Sequence, residues 1–103
     1  MHIEINYRDG KSSQALDDQI RESLQHTLGH LSERLTRLEV HLGDENAQKH
    51  GANDKRCLVE ARPKGLDPIA VETHGEDYYE TVRDAAGKLK RALETRFAKL
   101  SKT

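Results

Sequence analysis

Apolar and polar residues recur along this chain with two different periods, and the switches between them mark six elements. His2 to Tyr7 alternates strictly, with Ile3, Ile5 and Tyr7 on one side and His2, Glu4 and Asn6 on the other. That is the pattern of a half-buried strand. Beyond the turn signal Asp9-Gly10, the residues Leu16, Ile20, Leu24, Leu28 and Leu31 return at helical spacing. Ser12 or Ser13 can cap this first helix, Asp17 and Asp18 suit the positive end of its dipole, and the pattern stops near Ser32 or Glu33. From Thr36 to Gly43 the period falls back to two, with Leu38, Val40 and Leu42 set against Arg37, Glu39 and His41. Lys55 to Arg62 and Ile69 to His74 repeat that alternation, separated by Pro63, Gly65 and Asp67-Pro68. The intervening stretch, Gly43 to Asp54, is polar and aperiodic, which predicts a mobile loop.

The last stretch, Gly75 to Leu100, reads as one long helix. Asp77 can cap it, with Glu80 three positions on. Tyr79, Val82, Ala86, Leu89, Leu93, Phe97 and Leu100 then share one face and predict a continuous buried stripe. Beside it runs a row of Lys88, Arg91, Thr95, Lys99 and Lys102, turned away from the acidic Glu80 and Glu94. Such a helix can dock on its own domain while offering cations outward.

The resulting order, β-α-β-β-β-α, predicts an α+β fold. A helical crossover makes the first two strands parallel neighbours, and short connections make strands two to four an antiparallel meander. Each strand has one apolar face and each helix one apolar stripe. Two helices on one face of a four-stranded mixed sheet satisfy all of them. At 103 residues the chain is expected to form a single domain over 1–103. The other sheet face, with Arg37, Glu39, His41, Glu60, Arg62, Glu72 and His74, is expected to be solvated and paired across strands.

Charge changes this picture in one respect. With 17 basic and 18 acidic side chains, the formal net charge is -1, so the chain as a whole has no attraction for polyanions or anionic membranes. Any nucleic-acid site must come from local segregation, as on the last helix. The competing account of that row is simple solvation, since Lys and Arg are good formers of exposed helix. Cys57 is the only cysteine, which rules out an intrachain disulfide and fits a reducing, cytoplasmic setting. No apolar run is long enough to cross a bilayer.

Other chemistry finds little support. His26 and His30 lie four apart on a helix, but nothing at matching positions completes a metal shell. Asp44-Glu45-Asn46 lacks the ligand spacing of a calcium loop. Cys57 reads as a small buried apolar residue. With no nucleophile elbow, phosphate loop or metalloprotease motif, neither an enzyme nor a cofactor or small-molecule substrate is expected.

Three segments resemble the ribosome hibernation promoting factor family, the ribosome-associated inhibitors also described as sigma-factor modulation proteins. They are Val40 to Asn46 (VHLGDEN), Asp54 to Pro63 (DKRCLVEARP) and Asp77 to Leu100 (DYYETVRDAAGKLKRALETRFAKL). Together with the order of elements they cover essentially the whole chain, which looks like the short form without a further dimerisation domain. The resemblance implies a fold similar to double-stranded-RNA-binding domains. It also implies binding to rRNA of the small ribosomal subunit, in the channel otherwise used by mRNA and tRNA, and inhibition of translation in idle or stressed cells. Lys88, Arg91 and Lys99 match basic family positions, and Lys90 and Lys102 complete the expected RNA-binding set. Tyr79, Val82, Leu89, Leu93 and Leu100 match core positions. Thr95 and Phe97 stand where the family often has lysine, as do Ser23 and His26 on the first helix, so this chain is less basic than a typical member. A monomer in free solution is expected. The alternative is a protein-interaction or regulatory module that keeps the fold and acts on a non-ribosomal partner.

Overall fold

A computed structural model describes residues 1–8, 12–44 and 55–101. The elements run β1 (His2–Tyr7), α1 (Gln14–Leu28), a 3-10 segment (Gly29–Arg34), β2 (Leu35–Asp44), β3 (Lys55–Pro63), β4 (Ile69–Gly75) and α2 (Tyr78–Ser101). The strands stand in the sheet in chain order, β1 parallel to β2 and the other neighbours antiparallel. The α+β fold and the strand pairing are those expected from the periodicity. The loop expected between Gly43 and Asp54 lies, from residue 45 on, outside the described residues.

Register makes three apolar rows across the inner face. Ile3, Leu38, Ala61 and Ile69 form one; Ile5, Val40, Val59 and Val71 the next; Tyr7, Leu42, Cys57 and Thr73 the third. A shift of one residue in any strand would turn its row into solvent, so burial of this face holds the register. Over the rows lie Ile20, Leu24 and Leu28 of α1 and Val82, Ala85, Ala86, Leu89, Leu93 and Phe97 of α2, all buried in one cluster with them. Two adjacent alanines let α2 come close to its neighbours, which suits a core with few aromatics.

Both helix starts follow the capping residues. The Leu16 backbone N–H donates to Ser13 Oγ at 3.0 Å, and the Glu80 N–H donates to Asp77 Oδ1 at 2.8 Å. The turn from β4 into α2 is closed by Thr81, a fully buried hydroxyl. Its Oγ1 donates to the Asp77 carbonyl at 2.6 Å, and its own carbonyl accepts from Thr73 Oγ1 at 2.7 Å. Gly75 packs directly beneath it, and a Cβ there would collide with Thr81 Oγ1. Only glycine fits this corner.

Three expectations are corrected. The α-helical part of the first helix stops at Leu28, and the chain tightens into 3-10 geometry from Gly29. Glycine lowers helix propensity there, and the tighter turn still buries Leu31 before delivering Leu35 to the sheet. Tyr79 and Leu100, expected in the buried stripe, are 50% and 43% exposed. Leu100 lies where a 24-residue helix, about 36 Å long, outruns a seven-residue strand of roughly 23 Å. Tyr79 lies at the margin of the stripe, and Thr81 and Ala85 take the buried positions on its other margin.

Replacing Leu89 by Ala is expected to cost about 2–5 kcal/mol, the range for a fully buried leucine, read as a fall in the urea midpoint. Gly75→Ala is expected to cost about 1–3 kcal/mol, because the collision forces the corner apart. A third expectation concerns alkali. Burial pushes the Cys57 thiol from 9.0 up to about 12, with Arg56 opposing weakly. Below its ordinary pKa the thiol is neutral in both states and costs nothing. Above it the unfolded chain sheds a proton that the folded chain keeps, so stability falls towards pH 12 by about 1.4 kcal/mol per unit. Tyr7, raised chiefly by burial, adds to the loss. Denaturation midpoints between pH 8 and 11 should fall less steeply in Cys57→Ala than in the native chain.

Candidate nucleic-acid interface

The position of α2 decides where its cations point. Lys88 Nζ reaches the Glu72 carbonyl of β4 at 3.3 Å, so its flank faces the open β4 edge of the sheet. At 100° per residue Thr95 and Lys99 fall within about 20° of Lys88, and Arg91 stands further out on the same side. Arg91, Thr95 and Lys99 line a shallow groove together with Ala92 and Arg96. No carboxylate contributes to that lining, so three cations act on one concave surface. The Arg91 guanidinium also lies back along the helix, over Gly87, with Nη1 3.6 Å from where a Cβ would be.

Of the expected set, Lys88, Arg91 and Lys99 therefore share one flank. Lys90 does not join them. It lies about 160° around the helix from Lys88, half-buried on the side towards α1. Lys102 lies outside the described residues. Arg96 is the cation that the periodicity conceals, because its angle places it near the middle of the apolar stripe. Close to the overhanging end of α2 a long side chain can lay its stem on the core and bring its charged head out. The signal for it was a charged residue in phase with Leu89 and Leu93.

The first helix adds no fixed charge to this surface. Ser23 and His26 line a hollow on α1 with Gln19, Glu22 and Gln25. His30 is engaged elsewhere, its Nε2 3.2 Å from Glu94 Oε2 of α2. It pairs with that carboxylate rather than with His26. Among the described residues no cluster of His, Cys, Asp and Glu is able to hold a metal ion. Phe97 is buried in the core, and the Arg34 guanidinium stacks 3.6 Å from its ring centre, so a cation from the 3-10 segment lies over this end of α2.

The outer sheet face carries the cross-strand pairs expected of a solvated surface. Arg37 pairs with Glu4 and Glu39, and Arg62 with Glu60 at 2.9 Å and Glu39 at 3.5 Å. Arg56 donates through Nε and Nη2 to Glu72. At the far end of β1 and β2, Asn6, Arg8, His41, Arg56 and Leu58 surround a recess, with the Arg8 stem lying across Gly43. No helix of the described residues is long and apolar enough to cross a membrane.

Two helices over one face of a mixed four-stranded sheet, in the order β-α-β-β-β-α and with cations gathered on an exposed helix flank, define a two-layer α+β module. The chain belongs to the family described as Sigma 54 modulation protein / S30EA ribosomal protein, a ribosome-associated family whose sequence profile matches residues 3–101. It is similar in structure to a ribosomal subunit interface protein from Coxiella burnetii, with a TM-score of 0.78 and 19% identity over 95% of this chain and 99% of that one. It is also similar to the N-terminal domain of Protein Y from Thermus thermophilus, with a TM-score of 0.73 and 18% identity over 94% of this chain and 99% of the other. At these identities the likeness establishes the fold. No curated protein sequence matches the chain.

Proposed function

We propose that this protein is a ribosome-binding inhibitor of translation, one domain over residues 1–103 that acts by occupancy and without catalysis. The observation that carries the proposal is the groove of Arg91, Arg96 and Lys99, free of carboxylates in its lining, on a member of a ribosome-associated family. Its partner is the small ribosomal subunit. Arg91, Lys99 and, at the β4 edge, Lys88 neutralise rRNA phosphates, with Lys90 and Lys102 as outlying contacts. The body of the domain then fills the channel used by mRNA and tRNA and excludes both sterically. Such contacts follow backbone shape rather than base sequence. The free protein is monomeric and works in the cytoplasm, in idle or stressed cells, with no membrane, cofactor or small-molecule substrate. The other half of the family description, sigma 54 modulation, supports a second reading, a regulatory module with a non-ribosomal protein partner.

Sedimentation with purified small subunits separates these readings, since only the first expects co-migration. A variant carrying Lys88→Ala, Arg91→Ala and Lys99→Ala is expected to bind more weakly and to inhibit translation in vitro less than the native chain. Each phosphate contact removed should flatten the salt dependence by about one unit of slope. Lys88 should contribute least, because its ammonium is already tied to the Glu72 carbonyl. Thermal stability should stay within about 0.5 kcal/mol, as these are surface substitutions. Glu80→Ala serves as the control for a changed charge on the same helix. Native inhibition by the folded triple variant would remove this groove from the interface.

A further inference from the structure

The flank of α2 opposite the basic row carries a feature of different chemistry. Tyr79 is a large aromatic, half exposed, near the start of the helix. It stands over a small cleft where α1 and α2 meet, lined by Gln19, Ile20, Ser23, Tyr79, Val82 and Arg83. The spacing is matched on the two helices. Gln19 and Ser23 are one turn apart on α1, as are Tyr79 and Arg83 on α2, so two polar side chains face an aromatic ring and a guanidinium. Below them Ile20 and Val82, each 1% exposed, make an apolar floor. A ring wall, an apolar floor, two amide or hydroxyl groups on one lip and a cation on the other can accept a flat heterocycle with an anion attached.

We propose that this cleft receives one unstacked base of a single-stranded RNA segment. The base stacks on Tyr79 and rests over Ile20 and Val82, Gln19 and Ser23 hydrogen-bond its edge, and Arg83 meets the neighbouring phosphate. The inference rests on the ribosome-binding reading and adds to it a stacking contact that, unlike the phosphate contact of Arg83, does not depend on counterion release. Base stacking on an aromatic tolerates any sequence, because every base offers a π-face. The cation at the rim sets RNA above a neutral peptide as the occupant. The cleft is also separate from the β4-side groove, so the two contacts can be disabled independently.

The experiment measures affinity for purified small subunits, and for a short single-stranded RNA oligonucleotide, at several salt concentrations. Tyr79→Ala is expected to lower affinity roughly 5- to 150-fold while leaving the salt slope unchanged, since no phosphate contact is lost. Tyr79→Phe, which keeps the ring, restores it. Ser23→Leu fills the cleft from the other helix and should reproduce the loss, while Arg83→Ala should flatten the slope by about one unit. Because Tyr79 is half exposed, its denaturation midpoint should hold, which separates a contact from a folding defect. A photoreactive phenylalanine analogue at position 79 should crosslink to rRNA. Native affinity of Tyr79→Ala, with the α2 triple variant still impaired, would overturn the cleft alone and leave the ribosome reading standing. If the native chain binds no subunits, that reading falls, and the oligonucleotide decides the cleft: binding sensitive to Tyr79 supports it, and no binding overturns it. Crosslinking of position 79 to a ribosomal protein instead of rRNA would also overturn it.

Discussion

Everything in this molecule depends on covering one face of a four-stranded sheet. Three rows of four residues run across that face in register, and all but Tyr7, Cys57 and Thr73 are aliphatic. The rows are worth little unless water is kept off them, because their stabilisation comes from apolar surface removed from water. Two helices do the covering. With an apolar fraction of 34% the chain has little to spare, and nearly every large aliphatic residue in the described segments is committed to this one cluster. The opposite sheet face is left to charge pairs between strands. Exposed pairs of that sort contribute only about 0–1 kcal/mol each. They keep the surface soluble and discourage mispairing, and the core supplies the stability.

That economy determines which surfaces remain for function. Once α2 has buried its stripe against β3, β4 and α1, it retains two flanks with different neighbours. The flank over the β4 edge meets only an edge strand, so its cations lie in the open with a carbonyl to steady Lys88. The flank over α1 meets another helix, so its residues frame a cleft with an apolar floor. One helix therefore offers electrostatic attachment on one side and a shaped hollow on the other. Their difference follows from packing, since the residues of each flank alternate along the same turns. Gly75 and Thr81 set the angle at which α2 leaves the sheet, and so they fix both flanks at once.

How much of this the sequence revealed depended on how local the cause was. Strands and caps rest on alternation and on neighbours a few residues away, so the buried face of each strand, the Asp77 cap and a cap at Ser12 or Ser13 could be read directly. The residues that stand opposite one another across strands are instead set by the packed sheet. Burial at the margins of a helix depends on what lies opposite, which no period reports. Tyr79 and Leu100 were in phase with the stripe, yet one falls beside the helix–helix cleft and the other beyond the end of the sheet. Arg96 is the converse case: it is in phase with the core, yet it lines the groove beside Arg91 and Lys99. Lys90 was expected among the RNA-binding residues although it was never part of the row, and at 88, 90 and 91 the three cations cannot all face one way on a helix. The pairing of Arg34 with Phe97 joins residues far apart in sequence, and only the packing of the 3-10 segment beside α2 explains it.

The near-neutral charge of the chain bears on how these surfaces would work together. A protein of net charge -1 gains little from its overall charge in long-range steering, so the attraction to RNA proposed here would have to arise within about a Debye length of the helix surface. If three phosphates are neutralised at the groove, counterion release gives a slope of roughly -2.1 to -2.7. Such binding weakens by roughly 20- to 40-fold between 50 and 200 mM salt. A member with more lysines on both helices would start from stronger attachment and lose more of it to salt. The short side chain of Ser23 is one wall of the hollow beside Tyr79. Stacking of a base in that hollow, as proposed above, would not be screened by salt, so it would persist at salt concentrations where attachment through the groove has weakened.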